Sequence, residues 1–203
     1  MTCAQKPLLN KYFFFLLLGI SGCGYRWHPD FPEGTRPTIV VPYINGDDDG
    51  TLTSEVIRTI TSSGIANVGT RDGDYLLKIS VVNSQNQTVG YRRDKQKVSG
   101  EIKKNIVACE ARRSLTAEVT IFEGSSEKIA AGPYKITADT DYDYVDGDSI
   151  QDLAFINSQG VPTTVLPFSL GQLESFESAH EAASKPLYKK LAQKINDTIF
   201  SAW

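Results

Sequence analysis

The residues with the clearest chemical capacity form one short motif, Ile20-Ser21-Gly22-Cys23. A nine-residue apolar run, Tyr12–Ile20, leads into it, and Lys6 and Lys11 precede that run without any acidic residue. A run this short is typical of an export signal, since a helix that spans a membrane needs about 20 apolar residues. The small residues before Cys23 match the cleavage site of bacterial lipoproteins, so its thiol is predicted to form a thioether to diacylglycerol.

Lipidation of Cys23 would fix the location of the chain. We predict that residues 1–22 are a signal peptide and that the mature chain carries two or three acyl chains of the palmitate type on Cys23. Each buried methylene contributes roughly 0.8 kcal/mol to membrane binding, and a single chain binds only marginally. Two or three chains would therefore hold the protein on a membrane, and no cofactor besides this covalent lipid is predicted. The alternative is an ordinary secretory signal with a chance cysteine.

Two acidic clusters could bind a cation. Asn45–Gly50 contains three consecutive aspartates, but Glu55 comes one residue too early for the bidentate glutamate of a calcium loop. A turn whose acidic end faces a helix N-terminus explains the same residues through the helix dipole. The second run, Asp139–Asp148, lacks the glycine and the distal glutamate of a calcium loop. Its composition is typical of a solvated surface segment. We therefore predict no metal site.

The residues capable of catalysis do not form a recognisable set. The sequence has no Gly-x-Ser-x-Gly, His-Glu-x-x-His or Cys-x-x-Cys motif, and its two histidines are His28 and His180. Cys109 is the only cysteine of the mature chain besides Cys23, and we interpret it as a small core residue, with no internal disulfide. We predict that the protein is not an enzyme and has no catalytic residues. An envelope hydrolase with a site in residues 139–172 is an alternative.

A basic stretch is the main positive feature of a chain whose formal net charge is −3. Its basic residues are Arg92, Arg93, Lys95, Lys97, Lys103 and Lys104. Such a cluster attracts phosphates or an acidic protein surface, although a solvated hairpin tip would look the same. We predict that Arg92, Arg93, Lys95 and Lys97 bind an anion or a partner. The acidic overall balance gives no support for binding nucleic acid.

Strands and helices that could position this stretch are visible in the hydrophobic pattern. The predicted strands are Thr38–Tyr43, Asp74–Val82, Ile106–Phe122 and Lys128–Ala138, and the predicted helices are Leu52–Ser63 and Glu174–Phe200. Ile106–Phe122 is the clearest, because its apolar and polar residues alternate strictly. A bulge is expected at Gly132-Pro133, and Pro186 should divide the last helix so that its second half begins at Ser184 or Lys185.

The element order β-α-β-β-β-α predicts an α+β fold. One mixed, mostly antiparallel four-stranded sheet with two helices on one face accounts for it economically. We expect three segments: the signal peptide 1–22, a lipidated tether 23–37 and a single domain 38–203. Within that domain residues 139–172 appear irregular.

The start of the mature chain, Cys23-Gly24-Tyr25-Arg26, is similar to the Cys-Gly-Tyr start of LptE-like lipopolysaccharide-assembly lipoproteins. The order of strands and helices resembles that family too, with residues 139–172 as an insertion. The resemblance implies a non-enzymatic lipoprotein that plugs an outer-membrane β-barrel of the LptD type. It also implies that the protein contacts lipopolysaccharide and helps to deliver it. No family site residue could be matched to a single position here.

The resemblance also implies an outer-membrane location, with the domain on the periplasmic face. Gly24 agrees with this, because an aspartate after the lipidated cysteine is the signal that retains a lipoprotein in the inner membrane. An envelope lipoprotein that serves as adaptor or regulator of another machine, such as a peptidoglycan synthase or a transporter, is the alternative. A tether of about fourteen residues reaches at most about 50 Å, which favours a partner close to the membrane.

Overall fold

The structure is a computed structural model that describes residues 36–93, 101–104, 106–124, 126, 128–145, 154–164 and 175–202. The predicted signal peptide, Cys23 and nearly all of the predicted tether lie outside the described residues, and so do Lys95 and Lys97. What the sequence predicts for them stays a prediction.

The main sheet has five strands. They are β1 (Thr38–Val40), β2 (Asn67–Gly69), β3 (Tyr75–Arg92), β4 (Val107–Glu123) and β5 (Ile129–Asp143). Their spatial order is β2-β1-β3-β4-β5, with β1 parallel to β2 and β3, and with antiparallel pairs β3–β4 and β4–β5. The predicted mixed, mostly antiparallel sheet is confirmed. The count of four strands is wrong by one, because β2 has only three residues and shows no periodic pattern.

Three helical segments accompany the sheet. They are α1 (Thr51–Ser63), α2 (Phe176–Ala182) and α3 (Ser184–Ser201). Gly64 ends α1 in a left-handed conformation with φ 68°, which a glycine adopts without strain. The predicted terminal helix divides at Ala183, and Ser184 begins its second half as predicted. Pro186 lies in the first turn of α3, where the missing N–H costs no intrahelical hydrogen bond.

The hydrophobic core lies between one face of the sheet and the two long helices. Its largest buried members are Ile39, Ile44, Leu52, Val56, Ile60, Leu77, Val119, Ile121, Leu187, Leu191, Ile195 and Ile199. The buried residues of β4 occupy odd positions, so the alternation in the sequence marks the face that α1 and α3 cover. The prediction of two helices on one face of the sheet is thereby confirmed.

Two strands are longer than the sequence predicts. β3 continues ten residues past Val82 to Arg92, and β5 continues past Ala138 to Asp143. Residues 139–143, which we expected in an irregular insertion, therefore belong to the sheet. A separate two-stranded sheet, β6 (Ala154–Ile156) with β7 (Pro162–Thr164), lies in the remaining part of that segment. The predicted bulge is present, since the β4–β5 register shifts on both sides of Ile121 and reaches Ala131 there, next to Gly132.

The outer edge of β5 is chemically protected. Lys190 and Lys194 of α3 donate from Nζ to the backbone carbonyls of Asp139 and Thr137, at 2.9 and 2.6 Å. Pro133 contributes no backbone N–H farther along the same strand. Lysines and prolines are the devices by which proteins prevent an exposed strand edge from pairing with another chain.

Cys109 is only half-buried, although we predicted it in the core. The residue lies in β4, at a point where the β3–β4 register shifts and strict alternation is interrupted. Its backbone carbonyl accepts a hydrogen bond from the N–H of Tyr144 at 3.0 Å. Its thiol is not in a disulfide.

Candidate binding surface

The predicted basic residues that the structure describes lie at the far end of the β3–β4 hairpin. Arg92 is the last residue of β3 and pairs in register with Val107, the first residue of β4. Arg93 follows immediately and is exposed. We call Val89–Arg93, residues 101–104 and residues 106–107 the hairpin tip. The structure thus places two of the four predicted binding residues at this tip, while Lys95 and Lys97 are outside the described residues.

The hairpin tip lies beyond the core. Ile79 is the last buried residue of β3, and the strand is exposed from Val82 to Gln87. Large apolar side chains are nevertheless exposed at the tip itself: Tyr91 at 61%, Ile102 at 64% and Ile106 at 65%. Apolar and basic side chains are therefore presented to solvent together, which the sequence pattern alone did not show.

Several cations elsewhere on the domain are paired with acceptors. Arg112 forms a two-pronged pair with Asp141, with Nε–Oδ1 at 2.6 Å and Nη2–Oδ2 at 2.8 Å. This pair raises the pKa of Arg112 and lowers the pKa of Asp141, mainly through its hydrogen bonds. Arg58 and Lys128 are likewise paired, with Glu55 and Glu123.

The hairpin tip carries two exposed cations, and unlike Arg71 and Lys78 they lie within two residues in sequence of exposed large apolar residues. Arg93 and Lys104 make no hydrogen bond or ion pair with any residue in the described part of the chain. Free cations beside exposed apolar side chains suit an amphipathic anion, because the charge can meet a phosphate while the apolar groups cover hydrocarbon. The tip is therefore the best candidate binding surface among the described residues.

The acidic turn 45–50 serves the fold. Asp47 is only 3% exposed, and its carboxylate accepts hydrogen bonds from Leu52 N at 3.3 Å, Thr53 N at 2.7 Å and Thr53 Oγ1 at 2.6 Å. Gly50 stands at the N-cap and offers no side chain, so Asp47 supplies the acceptor for the first turn of α1. The interpretation of this turn as facing a helix N-terminus is confirmed.

Asp49 completes the same cap. Its carboxylate accepts hydrogen bonds from Thr51 N at 2.9 Å and Thr51 Oγ1 at 2.8 Å, and these bonds lower its pKa. Next to the turn lies an open depression of about 370 Å³, which includes Arg113 and Tyr188 in its lining. Because the Asp47 and Asp49 carboxylates already accept hydrogen bonds from the helix, we assign this depression no ligand.

His180 lies in an aromatic cluster at the base of the 144–175 segment. The centroid of its ring is 6.0 Å from those of Tyr142 and Phe176, and the rings of Phe176 and Tyr144 are 5.0 Å apart. Burial lowers the pKa of His180, and the charge of Arg113 lowers it further. These contacts join the end of β5 to the start of α2, so the role of His180 here is packing.

No helix in the described ranges is both long and apolar enough to cross a membrane. The sequence model of one protein family, LptE, described as lipopolysaccharide-assembly, matches residues 37–199. This match begins just before β1 and ends in the last turn of α3, so it covers every strand and helix described above except the last two residues of α3. At the level of sequence alone, no curated protein matches the chain.

Several solved structures are weakly similar to this chain over most of its length. A minor lipoprotein from Acinetobacter baumannii is 15% identical, with a TM-score of 0.44 over 80% of this chain and 89% of that one. An uncharacterised lipoprotein B from Nitrosomonas europaea is 13% identical, with a TM-score of 0.42 over 80% and 81%. The rare lipoprotein B from Shewanella oneidensis is 16% identical, with a TM-score of 0.39 over 81% and 94%.

Proposed function

Because the chain belongs to the LptE family of lipopolysaccharide-assembly lipoproteins, whose members are not enzymes, we propose that it assists a β-barrel of the LptD type at the outer membrane. In this proposal the acyl chains on Cys23 attach the protein to the periplasmic face, and the domain binds the barrel. The observation that carries the proposal is the family match over residues 37–199.

The hairpin tip gives the proposal a place of contact. Lipopolysaccharide is an amphipathic anion with phosphates next to acyl chains, and the tip presents Arg93 and Lys104 beside Tyr91, Ile102 and Ile106. A cation near an anionic lipid surface contributes about 1 kcal/mol, and this contribution falls off within a Debye length. We propose that the tip meets the phosphates during transfer and that Arg92, Lys95 and Lys97 add to the attraction.

Charge reversal at the tip tests the proposal. We expect the double variant Arg93→Glu/Lys104→Glu of the full-length lipidated protein to bind lipopolysaccharide about ten- to thirtyfold more weakly at low salt, since two favourable charges become repulsive. The measurement is a titration in detergent with fluorescent lipopolysaccharide. The difference should shrink in 0.5 M NaCl because salt screens exposed charges.

The matched control is Arg58→Glu/Lys128→Glu, which changes the net charge by the same amount. Both of these residues are exposed and already paired, Lys128 after the turn that joins β4 to β5 and Arg58 on α1. This control should bind nearly as the unmodified protein does. Equal losses in the two double variants, or no loss in either, would contradict a role for the tip.

A further inference from the structure

The two edges of the sheet differ in the residues that protect them from pairing with another strand. At β5 two lysine ammonium groups and a proline guard the outer edge. On the other side β1 pairs with β3 only at Tyr75 and Leu76, near the start of that strand. Most of β3 therefore forms a second edge of the sheet, opposite to the edge at β5.

The segment that follows β1 pairs with β3 for the last time at Asn45. Its N–H donates to the carbonyl of Ile79 at 3.2 Å, and its carbonyl accepts from the N–H of Val81 at 2.8 Å. At the next residue, Gly46, a Cβ would lie 3.0 Å from the Cβ of Val81, so the turn passes close to β3 before it departs. Among the described residues no backbone hydrogen bond reaches the outer side of β3 beyond Val81.

The open part of this strand carries no lysine or proline, and its pairing with β4 is regular from Asn83 to Thr88, between irregularities at Val82 and Val89. We call Val82–Tyr91 the β3 edge. From Ile79 to Tyr91 the sequence contains no charged residue and no proline, and it is rich in asparagine, glutamine, serine and threonine. Val82–Gln87 are exposed, so neither face of this stretch is covered. A long exposed edge without charge or proline is a template for pairing with another strand.

We propose that the β3 edge accepts an extended segment of the barrel partner as an added sixth strand. This inference rests on the proposed function, which supplies the barrel. Backbone hydrogen bonds would provide the affinity, as in other cases of strand addition, and side chains on the two faces would provide the specificity. A matching segment is extended, polar and uncharged, since an unmatched charge would find no partner along the β3 edge.

The setting of a barrel agrees with this chemistry. The interior of an outer-membrane barrel is polar, so a strand with polar side chains on both faces is compatible with it. Asparagine and glutamine side chains can also form hydrogen-bonded ladders with like residues on a neighbouring strand. A second copy of this chain is the competing occupant of the β3 edge, and self-directed crosslinks would reveal it.

Site-specific crosslinking in cells tests the proposal. A photoreactive amino acid is placed in the full-length protein at Ser84, Asn86 or Thr88, one position at a time, and the crosslinked peptides are sequenced. We expect adducts with the barrel within a single uncharged segment, where the attachment site moves by about two residues from each position to the next. Arg93 is tested in parallel, as a tip position outside the β3 edge.

The outcomes separate this inference from the proposed function. Barrel adducts from Arg93, combined with scattered, absent or self-directed adducts from the three edge positions, would overturn the added strand and leave the proposed function standing. The absence of the barrel both from these adducts and from the affinity-purified protein would overturn both.

Two adjacent proline variants add a second test. Successive N–H groups of a strand point to opposite edges, so one of Gln85→Pro and Asn86→Pro removes a bond to β4 and the other an N–H on the outer side. The variant that removes the outer N–H should have the melting temperature of the unmodified protein. It should nevertheless recover about three- to tenfold less barrel on affinity purification. Recovery at the unmodified level would overturn the proposal. If both proline variants have a lowered melting temperature, Gln87→Lys is tested in the same affinity purification. A lysine hinders pairing at a strand edge, so this variant should also recover less barrel.

Discussion

Replacement of Cys23 by alanine is expected to abolish acylation and to remove the protein from the outer-membrane fraction. The thiol is the only predicted attachment point, and without it the chain loses two or three acyl groups, each contributing roughly 0.8 kcal/mol per buried methylene. We expect the amount in the outer-membrane fraction to fall by more than about a hundredfold, since even one remaining acyl chain would bind only marginally. Fractionation with intact-mass analysis measures both changes.

Cys109→Ala is the matched control, because Cys109 is the other cysteine of the predicted mature chain. It is half-buried in β4 and carries no predicted lipid. This variant should keep its acyl mass and its membrane fraction. Loss of acylation in the Cys109 variant, or full retention of it in the Cys23 variant, would contradict the assignment of the anchor.

Asp47→Ala should strongly reduce the stability of the folded domain. It removes an acceptor from three buried donors, Leu52 N, Thr53 N and Thr53 Oγ1. A buried donor left without an acceptor costs about 1–3 kcal/mol, and loss of a helix cap costs a similar amount. We expect the free energy of unfolding to fall by about 2–4 kcal/mol and the melting temperature by about 5–15 °C. Urea denaturation followed by circular dichroism measures the first quantity.

Asp48→Ala separates the cap from the charge of the turn. Asp48 is the exposed neighbour of Asp47, and its loss should change the free energy of unfolding by less than about 0.5 kcal/mol. Asp47→Asn should fall between the two, because an amide keeps one acceptor oxygen. Similar losses in the Asp47→Ala and Asp48→Ala variants would show that the charge of the turn, and not the cap, stabilises α1.

The sequence predicts the strands that have one dry face and one wet face. In β4 the odd residues meet α1 and α3 while the even ones face away from the helices, and the alternation follows directly from this difference. β3 shows the converse. Its residues 83–87 are exposed, so no alternation arises there, and the strand is held by backbone pairing with residues 112–116 of β4. Such pairing is not visible in a single segment.

The end of β5 carried a signal that the prediction did not use. Asp139, Asp141 and Asp143 alternate with Thr140 and Tyr142, which is the period of a strand, but the acidity of the run suggested a solvated loop. The structure explains the alternation through distant partners. Asp141 pairs with Arg112 across the strands, and the ring of Tyr142 lies 6.1 Å from that of Phe176 on the opposite face.

The candidate binding surface could be predicted only in part. The charge of Arg92 and Arg93 was evident, and their place in the connection between two strands was predicted. The exposure of Ile102 and Ile106 was not, because it depends on where the core ends. Asp47 could not be distinguished in the sequence from Asp48 and Asp49, since its burial depends on how the turn folds back onto α1.

Affinity purification of the full-length, lipidated protein from its native membranes tests whether it assists an outer-membrane barrel. We predict that a large outer-membrane β-barrel protein is recovered with it in about equal molar amount, together with lipopolysaccharide. Recovery from the inner membrane with a transporter or a peptidoglycan synthase, and without any barrel, would contradict this prediction.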